Sequence, residues 1–246
     1  MITKLLALLL LPLAALSMTA ASAVAKTLRF SGYDFVVRAA GKGGPGPNNW
    51  DPANAWLDKQ GRLHLKLDKR GGRWFAAEVY TKKRLGFGTY EFKVSGRVDK
   101  FDRNVVLGLF NYPPADVGED TTNEIDIEFA RWGRKTNAIG NYSIWPAESG
   151  VDYTTKSFDF TLNSGAASTH SFDWRSRAID FLSREGHRTD KGRVIHRWTF
   201  APKQYRKRIP QDPMPLHINL WAFQGTPPSD GKPVEIVIDS FRFTPN

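Results

Sequence analysis

Apolar and polar residues alternate one for one in run after run of this 246-residue chain, and no stretch sustains the 3.6-residue repeat of an amphipathic helix. Side chains in a strand point to opposite faces by turns, so each run describes a ribbon with one apolar and one polar face. Arg62-Leu63-His64-Leu65-Lys66-Leu67 is such a run, following the turn signal Asp58-Lys59-Gln60-Gly61, and Tyr90-Glu91-Phe92-Lys93-Val94 follows Gly86 and Gly88. Further strands are expected at 74–80, 105–110, 124–129, 138–144, 171–174, 179–182, 197–200, 216–222 and 234–243, with Ser183-Arg184-Glu185-Gly186 as a hairpin turn. Many short strands punctuated by Gly and Pro predict an all-β sandwich or barrel rather than an α/β fold. Loops rich in Gly, Pro and Asn, at 41–49 and 113–122, belong at its rim, where binding residues collect.

The totals narrow the setting. Lys4, an apolar run from Leu5 to Leu16 and small residues up to Ala25 read as a secretory signal peptide over 1–25, cleaved after Ala23 or Ala25. That core is too short for a membrane helix, and no later segment supplies the ~20 apolar residues a span requires. An exported chain without a membrane span is expected, residues 26–246 forming one domain and acting as a monomer. There is no cysteine, so disulfides, thiol nucleophiles and Cys-based metal sites are excluded and a packed core must hold the fold. The formal charge of +10 favours solubility and adhesion to anionic surfaces. No basic stretch is interleaved with aromatics in the manner of a nucleic-acid binder, so no nucleic-acid partner is expected. The densest basic cluster, Lys203 to Arg208 between Pro202 and Pro210, reads as an exposed loop.

One run stands apart. Glu124-Ile125-Asp126-Ile127-Glu128 puts three carboxylates on one strand face, where they repel one another and raise each other's pKa. Stability does not recommend this, whereas glycoside hydrolysis requires paired carboxyl groups, one to donate a proton and one to attack or to activate water. Glu124 and Glu128 lie about 13 Å apart at their α-carbons on an extended strand. Leaning together they would reach the roughly 5 to 5.5 Å of a retaining enzyme, and apart the wider gap of an inverting one. Trp132, Asn141, Tyr142 and Trp145 follow closely, the aromatic and amide groups with which clefts hold sugars. The five histidines show no metal spacing and read as structural, and neither a nucleophile elbow nor a phosphate-cradling loop is present.

Asn123-Glu124-Ile125-Asp126-Ile127-Glu128-Phe129 resembles the active-site strand of family 16 glycoside hydrolases, in the form without a β-bulge found in licheninases and xyloglucan-active members. Ala77-Glu78, Gly86-Phe87-Gly88-Thr89-Tyr90-Glu91, Phe110-Asn111-Tyr112, His170-Ser171-Phe172-Asp173-Trp174 and Ile218-Asn219-Leu220-Trp221 extend the resemblance, in order, over essentially all of residues 26–246. It implies a β-jelly-roll of two curved antiparallel sheets with a polysaccharide cleft. It also implies Glu124 as nucleophile, Asp126 as helper and Glu128 as acid/base of a retaining double displacement. Trp132, Asn141, Trp145, Asn219 and Trp221 become candidate subsite residues, with Glu78, Phe110 and Tyr112 behind them. Where licheninases carry Arg two places after the position of Glu78, this chain has Tyr80. No cofactor is required for the chemistry, and the family's structural calcium would fall on Asp239 and the carbonyl of Gly61. The implied activity is a secreted endo-β-glycanase for β-1,3-1,4- or β-1,3-glucan. A galactan hydrolase, a transglycosylase and a non-catalytic carbohydrate-binding jelly roll remain open.

Overall fold

The computed structural model describes residues 25–188 and 191–246; the leader expected over 1–25 lies outside them except for Ala25. The strands, in chain order, are β1 (Thr27–Phe30), β2 (Tyr33–Val37), β3 (Gly41–Gly43), β4 (Asn48–Trp50), β5 (Ala55–Leu57), β6 (Leu63–Arg70), β7 (Arg73–Phe75), β8 (Ala77–Thr81) and β9 (Gly88–Ser95). There follow β10 (Val105–Asn111), β11 (Glu124–Phe129), β12 (Gly140–Trp145), β13 (Thr154–Phe158), β14 (Ala167–Trp174), β15 (Ile179–Glu185), β16 (Val194–Phe200), β17 (Leu216–Ala222) and β18 (Val234–Pro245). A single helical turn, α1 (Tyr205–Arg208), sits within the basic 203–208 segment that reads as a loop in the sequence.

Two large antiparallel sheets form a jelly-roll sandwich. One, the cleft sheet, runs β1-β2-β8-β17-β10-β11-β12-β13; the back sheet runs β16-β15-β14-β9-β18-β6-β5, with β7 added beside β6. The alternation explains the layers: on β11, Ile125, Ile127 and Phe129 are fully buried between the sheets, and Phe129 meets His170 of β14 with ring centroids 4.6 Å apart. From the back sheet Tyr90, Phe92 and Phe172 fill the same core, Tyr90 stacking on Phe172 at 4.5 Å. Each such ring withdraws on the order of 150–250 Å² from water, which in a cysteine-free chain is the main source of stability.

Three local expectations change. The run expected at 74–80 breaks at Ala76, because the chain there crosses between sheets: β7 pairs with β6 and β8 pairs with β17. Ala76, buried, keeps its backbone satisfied by donating to Asn49 O at 2.7 Å and accepting from Asp51 N at 3.1 Å. Ser183 to Glu185 is strand rather than turn, since these residues pair with His170, Thr169 and Ser168 of β14, and the turn begins at Gly186 with φ +78°. The 41–49 loop contains the small hairpin β3–β4.

Candidate active site

Strand register carries the expected residues to one face. Across the cleft sheet Glu128 lies between Asn141 of β12 and Gly108 of β10; beyond Gly108 come Asn219 of β17 and then Glu78 of β8. One pair along, Asp126 lies between Ser143 and Phe110, followed by His217 and Tyr80. Glu124 faces Trp145. Gly108 makes this close array feasible: a Cβ there would stand 2.6 Å from Asn219 Oδ1, which instead accepts the Gly108 N–H at 3.1 Å.

The three carboxyls differ in their surroundings. Burial in the cleft floor pushes Glu124 up to about 8, with Glu128, Asp120 and Glu78 adding repulsion, while a hydrogen bond from Asp126 works the other way. Burial also raises Asp126 well above the ordinary carboxylate range, helped by the Glu124 charge and by the proton Asp126 gives to Glu124. The Trp145 indole opposes that rise, its Nε1 donating to Asp126 Oδ2 at 3.1 Å. Glu128 is raised by burial and then by the Asp126 charge, with no hydrogen bond favouring its ionised form. The ends of the run are therefore inequivalent: Glu124 receives a hydrogen bond from Asp126 that favours its carboxylate form, and Glu128 receives none.

On the β8–β17–β10 side Glu78 is fully engaged, with Oε2 at 2.5 Å from Arg38 Nη1 and Oε1 at 2.8 Å from His217 Nδ1. Burial pushes its pKa up, but His217 and Arg38 together outweigh this and hold Glu78 below the usual range. His217 stacks on Tyr80 at 5.1 Å and lies 5.2 Å from the Phe110 ring and 5.7 Å from that of Tyr112. The Tyr112 hydroxyl donates to Asp120 at 2.8 Å. Trp221 is buried with its indole N–H unpaired. On the opposite side a cavity of about 740 Å³ lies over β12 and β13 and reaches Glu128, Trp132, Asn141, Trp145 and Phe223. Asn141 is committed to the protein, donating to Ala130 O at 3.1 Å and accepting from Ser157 Oγ at 2.7 Å.

His217, classed with the structural histidines on sequence, thus stands in the cleft. Its signal was present, since it precedes Asn219 by two in a period-two strand. Arg38 carried no such signal, because its partner Glu78 is 40 residues away. Tyr153 and Thr155 were missed because β13 is polar and short and does not read as a strand.

At the position expected for calcium, Asp239 Oδ2 is buried without a hydrogen-bond partner among the described residues. Asp239 Oδ1 faces the Arg62 guanidinium at 3.8 Å and Oδ2 faces His187 Nε2 at 3.6 Å, while Arg62 is held by Asp58 at 2.7 Å. Calcium requires six to eight oxygens, and the guanidinium beside this carboxylate is that of Arg62, shared with Asp58. Among the described residues no group of three or more His, Cys, Asp or Glu side chains could hold a metal ion. Nor is any described helix long and apolar enough to cross a membrane.

Residues 47–237 match the model of the family described as glycosyl hydrolases family 16. No curated protein matches. Among solved structures, the Bacillus licheniformis beta-glucanase superposes with a TM-score of 0.66 at 19% identity, covering 92% of this chain and 100% of that one. A beta-1,3-glucanase from Mycobacterium marinum gives 0.63 at 20% identity, with 85% and 90% covered. A prokaryotic beta-1,3-1,4-glucanase (lichenase) derived from a mouse hindgut metagenome gives 0.61 at 20%, with 86% and 93% covered.

Proposed function

The chain belongs to glycosyl hydrolase family 16, and from that membership we propose that it is an exported, retaining endo-β-glycanase acting on β-1,3-1,4- or β-1,3-glucan. The observation that carries this reading is the strand register that sets Glu124, Asp126 and Glu128 in alternation on one face of β11, with Asp126 bonded to Glu124 and not to Glu128, so that one strand can supply a nucleophile and a proton donor together. Glu124 attacks the anomeric carbon while Glu128 gives its proton to the departing glycosidic oxygen, leaving a glycosyl ester on Glu124. Glu128, now a carboxylate, takes a proton from water, and the water oxygen attacks the same carbon and releases Glu124. Two inversions at one carbon keep the β configuration. Asp126 orients Glu124 and tempers its charge, and Trp145 holds Asp126.

The donor sugar lies over β10, β17 and β8, against Phe110, Tyr112, Asn219 and Trp221, with Glu78 setting His217 rather than meeting sugar itself. The departing sugar lies toward Trp132, Asn141 and Trp145. Export is supported by the leader pattern over 1–25, and residues 26–246 are proposed as one catalytic domain. The β-glucanase names of the structural neighbours support the glucan choice, as does a run without an extra residue before Glu128. Reducing-sugar release from lichenan, laminarin, xyloglucan, agarose and carrageenan tests it. Release from lichenan or laminarin is expected; cleavage of the galactans alone would overturn the substrate choice, and no release from any would overturn the activity.

A further inference from the structure

Tyr153 is 52% exposed, the exposed large hydrophobic side chain among the described residues, and core packing does not account for it. Its ring is nonetheless ordered: it stacks on Trp145 with centroids 4.5 Å apart and planes 19° from parallel. Both chain neighbours are clamped, since Arg208 Nη2 donates to Asp152 O at 3.2 Å and to Thr154 Oγ1 at 2.8 Å. Trp145 is fixed from beneath by Asp126. A rigid aromatic pair held at a cleft wall offers a flat face to a pyranose ring at little cost in conformational entropy.

The same cavity reaches Glu128 but not Glu124. The proton donor marks the side on which the glycosidic oxygen departs, so this half of the cleft takes the reducing-end portion of the chain. Its polar lining is Asn137, Ser143 and Thr155 with their neighbours; among the described residues Glu128 is its one ionisable acid, and no Lys or Arg lines it. A sulfate or carboxylate there would be desolvated beside an acid with no counter-charge.

We propose that Tyr153, stacked on Trp145, forms the outer platform of a leaving-group subsite that accepts uncharged glycosyl units. This rests on the glycanase reading, and the test separates the two. In the Glu124→Gln background, calorimetric titration uses neutral gluco-oligosaccharides and a sulfated galacto-oligosaccharide of equal length. Tyr153→Ala is expected to weaken binding of the neutral ligand about tenfold, Tyr153→Phe to stay within about twofold, and the sulfated ligand to bind at least about tenfold more weakly than the neutral one. Circular dichroism checks that both variants are folded. Undiminished neutral binding by Tyr153→Ala, no neutral binding in the background protein, or tighter binding of the sulfated ligand overturns the proposal. If any of these occurs while the unmodified enzyme still releases reducing sugar from glucan, the subsite alone fails and the glycanase reading stands.

Discussion

Glu124, Asp126 and Glu128 oppose stability for the reason that would suit them to the proposed chemistry: each is held where its charged form is disfavoured. Because folding lifts Glu124 from about 4.5 to about 8, the folded chain binds more protons than the unfolded one between those values. Stability therefore declines as pH rises through that window. Glu124→Gln removes the term, so its Tm is expected to exceed that of the unmodified protein by a few degrees at pH 8 and by little at pH 4.5, measured by calorimetry. The same variant should lose about 10³-fold or more in kcat. An unchanged Tm difference across pH contradicts the burial account, and near-normal kcat contradicts the role of Glu124. These three residues were legible in the sequence because three acids on one strand face conflict with packing, and conflicts of that kind collect at functional sites. Which of the two Glu residues bonds to Asp126 was not legible, since it depends on side-chain direction.

At the scale of elements, β11 and β17 were readable to the residue because their alternation is strong on both faces. β13 was not. Its five residues carry one buried side chain, Phe158, and its place is set by pairing with β12 rather than by its own pattern. With β13 unseen, Ser143 and Trp145 had no wall to belong to. The element-level consequence is testable through Trp145, whose indole ties β12 to the helper on β11. Trp145→Phe keeps a ring against Tyr153 but removes the donor to Asp126, which raises the Asp126 pKa further. kcat should fall on the order of tenfold, with the pH–rate profile displaced. An unaltered profile would mean that the hydrogen bond does not tune the acids.

At the scale of the molecule, the two sheets are joined by a buried polar chain as well as by apolar packing. The Tyr142 hydroxyl of β12 donates to Ser183 Oγ of β15 at 2.6 Å, and His170 of β14 bridges Ser183 and Ser168 at 2.8 Å on each ring nitrogen. Burial lowers His170 from its ordinary 6.5 to about 3, so it is neutral in the fold while the unfolded chain takes a proton below pH 6.5. Stability is therefore lost as pH falls from 6.5 toward 3, by at most about 1.4 kcal/mol per unit from this group. The difference in urea midpoint between the unmodified protein and His170→Gln across that range measures it, because the acids of β11 contribute equally to both; a difference that does not shrink on acidification contradicts the neutral bridge. The all-β class was legible from short alternating runs and the two-sheet sandwich from the family resemblance, but which sheet each run joins was not, because the crossing at Ala76 has no marker in the sequence.

In the proposed reaction Glu124 becomes covalently glycosylated. A 2-deoxy-2-fluoro-β-glucoside oligosaccharide with a good leaving group should arrest the enzyme at that ester, and peptide mass spectrometry after digestion locates the sugar. One added glycosyl unit is expected on the peptide at Glu124, absent in Glu124→Gln; a label on Glu128, or no label from an enzyme that still cleaves glucan, would contradict a Glu124 nucleophile.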